Sequence, residues 1–279
     1  MNKKYFTFLF FALFACVTVL FGQKKIVIIH TNDTHSRIEP LPETDRYAAN
    51  KGGVVRRMSF IGQVRKENRN VLLLDAGDFL QGTPYFNLFK GEVETEAMNL
   101  MQYDAATLGN HEFDYGLETL EQVVRRAKFP IISSNYDFSK TSLKGLIKPY
   151  LILKRDGVKI GVIAVNVQPK GLIASGNYNG MKYLPPEKVA NELALMLKTV
   201  YRCDMVICLS HLGYTSDKQF VSKTRNIDIV IGGHSHTNMK APEMVKNIDE
   251  EEVLIFQTAG RGSHIGRIDV ELEKVNRRE

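Results

Sequence analysis

The chain of 279 residues contains no tryptophan and only three cysteines. Three cysteines cannot build a disulfide scaffold. With 15 phenylalanines and 11 tyrosines but no indole, nothing points to an aromatic platform for sugars. One-sided charge is also missing: 37 basic residues face 31 acidic ones, a net +6, and the densest basic pairs are Arg56-Arg57 and Arg125-Arg126. A nucleic-acid polymer would call for basic residues gathered on one face, so these are read as solvated helix faces. Hydrophobic residues make up 44% and charged residues 24%, which excludes a disordered or fibrous chain. Beyond residue 22 there is no long apolar run, internal repeat or low-complexity tract.

What is present begins with an export pattern. Lys3 and Lys4 precede an uncharged apolar run over residues 5–21, the layout of a secretory signal. Cleavage after Gly22 accounts for the whole run and gives residues 23–279 as one mature domain. Leu13-Phe14-Ala15-Cys16 resembles a lipobox, in which Cys16 would carry lipid. An uncleaved anchor is the third reading, since ~17–25 residues span a bilayer. All three place the domain outside the cytoplasm, at the periplasm or cell surface. The membrane is a partner only through Cys16 or an uncleaved signal. Cys203 and Cys208 bracket a strand-like stretch, which would hold them roughly 16 Å apart, beyond the ~7 Å a disulfide allows. They are expected as separate thiols, with Cys208 filling core volume.

Short apolar runs at 26–29, 71–74, 131–132, 205–209, 227–231 and 253–256 alternate with helical patterns at 54–64, 117–124 and 188–200. Such alternation favours an α/β layered fold. Asp156-Gly157 between the apolar runs 151–153 and 158–165 is a hairpin signal, so a mixed sheet is expected. The exits of the runs are chemically unusual. They carry His30-Thr31-Asn32-Asp33-Thr34-His35, Asp75-Ala76-Gly77-Asp78, Gly109-Asn110-His111-Glu112-Phe113-Asp114, Ser210-His211, Gly233-His234-Ser235-His236 and Gln257-Thr258-Ala259-Gly260. Sites in α/β sheets form beyond the carboxyl ends of strands. One histidine at a strand end is ordinarily structural, and Gly77-Asp78 alone is an ordinary turn. Beside His30, five of the seven histidines, 35, 111, 211, 234 and 236, sit in such exits, and with carboxylates and an amide they are a metal-ligand inventory.

The order Asp33-x-His35, Gly77-Asp78, Gly109-Asn110-His111-Glu112, His211, Gly233-His234-x-His236 resembles the calcineurin-like metallophosphoesterases. His30-Thr31-Asn32-Asp33, Gly77-Asp78-x-x-Gln81-Gly82 and Gly109-Asn110-His111-Glu112-Phe113-Asp114 are similar to the 5′-nucleotidase branch, and the likeness runs from Lys25 to about Val270. The resemblance implies a four-layer α-β-β-α sandwich of two mixed sheets, with a dinuclear metal site at the strand ends. It implies Asp33, His35, Asp78 and His236 on one metal, and Asp78, Asn110, His211 and His234 on the other. Phosphate esters repel nucleophiles, and a metal pair ~3.5–4 Å apart both generates hydroxide and clamps the phosphate. A carboxylate can bridge such a pair, while neutral imidazole and amide ligands leave it positive toward an anionic substrate. Zn, Mn, Fe and Co all suit this donor set.

By the same resemblance, His111 assists the leaving oxygen and Asp114 orients His111. Their spacing puts both on one face of a helix beginning at Asn110. His30 is expected to pack, and His264 to lie in a surface loop entering a last strand. The expected substrate is a small phosphate ester, a nucleotide first, with cyclic nucleotides and UDP-sugars as enzymatic alternatives and a non-enzymatic binding scaffold as the other class. In the resembling enzymes a further domain holds the nucleoside, so a separate substrate-binding chain or domain is an expected partner.

Overall fold

A computed structural model describes residues 24–272. The expected export segment, Cys16 included, lies outside the described residues. In chain order the first elements are β1 (Lys24–Thr31), α1 (Val54–Glu67), β2 (Val71–Asp75), α2 (Pro84–Phe89), α3 (Glu92–Met101), β3 (Ala105–Thr107), α4 (Gly116–Arg126) and β4 (Ile131–Ile132). There follow β5 (Tyr136–Asp137), β6 (Tyr150–Arg155), β7 (Val158–Asn166), β8 (Lys182–Tyr183), α5 (Pro186–Thr199), β9 (Met205–His211) and α6 (Tyr214–Val221). The last are β10 (Ile229–Gly232), β11 (Glu243–Lys246), β12 (Glu252–Phe256) and β13 (Gly266–Leu272).

Two large mixed sheets result, ordered β13-β1-β2-β3-β4 and β11-β12-β10-β9-β7-β6. Strands β1 to β4 run parallel, as do β7, β9, β10 and β12, and the antiparallel neighbours are β13, β6 and β11. The β6–β7 hairpin turns at Asp156 and Gly157, both left-handed (φ 49° and 74°), as a two-residue primed turn requires.

Side chains alternate across a strand, and both faces of these strands are apolar. Ile26, Ile28, Leu72 and Leu74 of the first sheet meet Ile160, Val162, Ile207, Leu209 and Ile231 of the second. On the outer face of the first sheet, Val27, Ile29 and Leu73 pack against Ile61 of α1, Met98 of α3 and Leu120 of α4. On the outer face of the second, Ile163, Val206 and Val230 pack against Ala194 and Leu197 of α5 and Phe220 of α6. The result is a four-layer sandwich, helices outside and sheets within, as expected. Each fully buried aliphatic side chain contributes about 1.5–3 kcal/mol, and the three apolar layers together hold the sandwich.

The three expected helices form: α1 and α4 run longer, and α5 starts two residues earlier and stops one residue earlier than expected. Pro186 opens α5, where its missing N–H costs nothing. Helix α3 was not legible, because Glu94, Thr95 and Asn99 occupy its buried face beside Met98 and Met101 and interrupt the apolar period. The short helices α2 and α6 and the strands β5, β8 and β11 were also unexpected. Cys203 and Cys208 are free and buried. No helix among the described residues is long and apolar enough to cross a membrane.

Candidate metal centre

Asp33 and His35 follow β1, Asp78 follows β2, and Asn110, His111 and Asp114 follow β3. His211 ends β9, while His234 and His236 follow β10. Contacts across the two sheets join these exits into one site. The His234 N–H donates to both Asp33 oxygens at 3.0 Å, and His211 Nδ1 lies 2.7 Å from the Ala76 carbonyl. Asp33, His35, Asp78, His234 and His236 all adopt left-handed backbone, with φ between 47° and 69°. Residues with side chains visit that region sparingly, and such concentrations mark functional loops.

The side chains form two adjoining groups. In the first are Asp33, His35 and His236; in the second are Asp78, His211 and His234; within each group the ligand-type atoms lie within 4.8 Å of one another. His35 Nε2 and His236 Nε2 are 2.9 Å apart, and His236 Nε2 lies 3.3 Å from Asp33 Oδ1. His211 Nε2 lies 3.1 Å from Asp78 Oδ2 and 4.0 Å from Asp33 Oδ1, which puts the groups side by side. Asn110 is carried beside the second group by Gly109, where an added Cβ would stand 2.1 Å from Asp78 Oδ1.

The donor set fits divalent cations. A carbonyl oxygen can only accept, so His211 Nδ1 donates to Ala76 and the lone pair of a neutral ring sits on Nε2. That lone pair faces the Asp78 carboxylate, an arrangement that needs a proton or a cation between them. Without metal, burial would lower the His211 ring, but Asp78 outweighs it and lifts the ring to about 10. Burial opposes ionisation of Asp78, yet His211 holds its carboxyl well below the usual range. Burial lowers both His35 and His234. His211 Nε2, Asn110 Oδ1, His35 Nδ1 and His234 Nδ1 are buried without a hydrogen-bond partner, and such orphaned atoms ordinarily have one.

His111 and Asp114 also meet, through a 3-10 turn (His111–Phe113) rather than the start of an α-helix. Asp114 Oδ2 accepts from His111 Nδ1 at 2.9 Å, and this hydrogen bond raises the ring to about 8. The His111 ring stands edge-on to His35 with centroids 5.4 Å apart. His30 is packed: it is 2% exposed, lies edge-on to Phe256, and burial lowers it to about 4. His264 bonds its neighbour Ser263 in the loop before β13.

Three supporting residues were not singled out from sequence. Asn32 donates to Asp33 Oδ2 at 2.6 Å and to the Ala259 carbonyl at 2.7 Å, and accepts the Thr258 N–H. Gln257 donates to the Gly233 carbonyl at 2.8 Å and accepts the Thr237 N–H, fixing the loop of His234 and His236. Glu112 is buried and accepts the N–H groups of Asp78, Leu80 and Gly109. Burial, and then the charge on Asp78, raise its carboxyl to about 8 against the pull of those donors. The available signal was their place inside the strand-exit strings.

Residues 26–238 match the model of the calcineurin-like phosphoesterase family, and the chain belongs to that family of metal-dependent enzymes. It is similar to the snake venom 5′-nucleotidase of Crotalus adamanteus, with 33% identity over 92% of this chain and 47% of that protein. It is 33% identical to the 5′-nucleotidase of Homo sapiens, over 95% of this chain and 50% of that one. Among solved structures, the 5′-nucleotidase precursor from Thermus thermophilus superimposes with a TM-score of 0.82 at 32% identity, over 88% of this chain and 51% of that chain. The chain thus spans about half the length of the curated relatives it matches.

Proposed function

We propose that the protein is an exported, metal-dependent phosphoester hydrolase of the 5′-nucleotidase type, with residues 23–279 as its catalytic domain. The observation that carries this reading is the pair of adjoining groups, Asp33–His35–His236 and Asp78–His211–His234. Asp33, His35, Asp78 and His236 would hold one divalent ion, and Asp78, Asn110, His211 and His234 the other. Bound there, two such ions supply hydroxide at neutral pH and a clamp for phosphate oxygens.

The chain's own groups do the rest. His111 keeps Nδ1–H on Asp114, which leaves Nε2 to carry a proton to the departing oxygen, help of ~10²–10⁴-fold. Asp114 orients the ring. Main-chain N–H groups of His234 and His111 bond the Asp33 and Asp78 carboxylates, which ties the loops of these residues together.

A centre that grips phosphate grips every phosphate ester, and choice among bases needs contacts to the organic part. The proposal therefore includes a substrate-binding domain or chain that closes over the centre, in line with relatives about twice as long as this chain. Export is supported by the charged and apolar pattern of residues 1–22 and by similarity to a venom protein.

The test is phosphate release from mono-, di- and cyclic nucleotides, UDP-sugars and nitrophenyl phosphate, with Mn, Zn and Co added separately to chelator-treated protein. Metal-restored release from nucleoside monophosphates is expected. Release from cyclic substrates alone would transfer the site to a phosphodiesterase, and absence of bound metal would favour a binding scaffold. Micromolar KM for one nucleotide, with others turned over a hundredfold less efficiently, would remove the need for a partner.

A further inference from the structure

Glu112 is 1% exposed, and its side chain accepts hydrogen bonds from three backbone N–H groups. One oxygen, Oε2, accepts the Asp78 N–H at 3.0 Å together with the Gly109 N–H, and the other, Oε1, accepts the Leu80 N–H at 3.1 Å. The carboxylate therefore spans two loops, the β2 exit that carries Asp78 and the β3 exit that carries Asn110. The stitch is returned from the other side. Asp78 Oδ1 accepts the N–H of His111, the residue next to Glu112, at 2.9 Å. Between them the loops are in backbone contact, since a Cβ on Gly77 would stand 2.7 Å from Gly109 N. Residues 78, 80 and 109 are buried, and Glu112 supplies the acceptor for the peptide N–H of each.

We infer that Glu112 is a positioning residue that sets the distance between the Asp78 and Asn110 side chains before any cation arrives, and so sets the divalent-cation affinity of the second group. This rests on the reading of Asp78 and Asn110 as ligands. Three donors converge on two oxygens, so a side chain that presents two acceptor oxygens is required. Glutamine offers one oxygen and one NH₂, and in either orientation at least one of the three N–H groups faces a donor. Aspartate keeps both oxygens but is one carbon too short to reach both loops.

Two measurements test it. Calorimetric titration of chelator-treated protein with Mn should show Glu112→Gln and Glu112→Asp binding about 10–100-fold more weakly, the usual cost of losing a group that orients a ligand. Leu197→Ala, a cavity under α5 in the helix-side core, should lower Tm while leaving Mn affinity at the wild-type value; it separates positioning from general stability. Hydrogen exchange on metal-free wild type should find the amides of Asp78, Leu80 and Gly109 strongly protected, and this arm decides the matter should the variants not fold. Wild-type Mn affinity in folded Glu112→Gln, or unprotected amides at those three positions, would overturn the inference. A wild-type protein that binds no Mn but protects the three amides would instead refute the ligand reading.

Discussion

Replacing Gly109 by alanine adds one methyl group at the most crowded point of the centre. The Gly109 backbone lies outside the left-handed region, so alanine meets no torsional objection and the effect is purely steric. The new Cβ would stand 2.1 Å from Asp78 Oδ1, 2.6 Å from Asp78 Cγ and 2.6 Å from His211 Nε2. Ordinary contact begins near 3.4 Å, so the carboxylate, the imidazole or the loop has to move by about 1 Å. Neither side chain has room to do so: Asp78 is 2% exposed, His211 is fully buried, and its Nδ1 is tied to Ala76 at 2.7 Å. Overpacking of this kind costs ~1–3 kcal/mol in stability, and a 1 Å misplacement of reacting groups costs ~10²-fold in rate. Hydrolysis of nitrophenyl phosphate at saturating Mn, metal content by mass spectrometry and circular dichroism together read the outcome. The expected result is a folded protein with at least a hundredfold lower kcat/KM and depleted metal. Gly62→Ala is the matched control, because nothing lies within 4 Å of its added Cβ in the middle of α1. It should stabilise the fold by about 0.4–1 kcal/mol and leave turnover unchanged. A Gly109→Ala protein with wild-type turnover and metal content would refute the placement of Asp78 and His211 around one centre.

Three further outcomes are expected. Asp78→Asn should deplete both ions together, because it removes the shared carboxylate; metal analysis showing two ions retained, with normal turnover, would remove Asp78 from its bridging place. His111→Ala should keep its metal and lose ~10²–10⁴-fold with nucleoside leaving groups, but much less with nitrophenol, which departs without a proton; equal losses on both substrates would dissociate His111 from the leaving group. For pH, the hydrogen bond from Arg261, helped by the N–H groups of Tyr47 and Ala48, lowers Asp45 to about 2. A depressed carboxyl stabilises the fold fully above its unfolded value near ~3.9 and loses that contribution as pH falls through the folded value. The difference in urea midpoint between chelator-treated wild type and Asp45→Asn should therefore be constant above pH ~5 and shrink as pH drops from ~4 toward ~2. A difference that stays flat through that range would show the Asp45–Arg261 pair to be without effect.

The amino-acid sequence determined on its own which residue types crowd the strand exits, that strands and helices alternate, and where the β6–β7 hairpin turns. Those features are local. Apolar periodicity records burial of a strand or helix face, and Asp156-Gly157 carries its own left-handed turn. Helix α3 escaped because its buried face holds Glu94, Thr95 and Asn99, whose partners come from elsewhere in the chain: Glu94 accepts from Ser36, and Asn99 accepts the Lys128 N–H at 2.7 Å. Only the tertiary structure decided the grouping of the site. Asp33 and His236 are some two hundred residues apart along the chain, and their juxtaposition depends on two sheets packing with their parallel strands ending on one side. The tautomer of His211 likewise depends on a carbonyl 135 residues away, at Ala76. Glu112 was visible as a letter in a familiar string, but its task depends on three backbone N–H groups of two loops, and hydrogen bonds to backbone leave no mark on the identity of the residues that donate them.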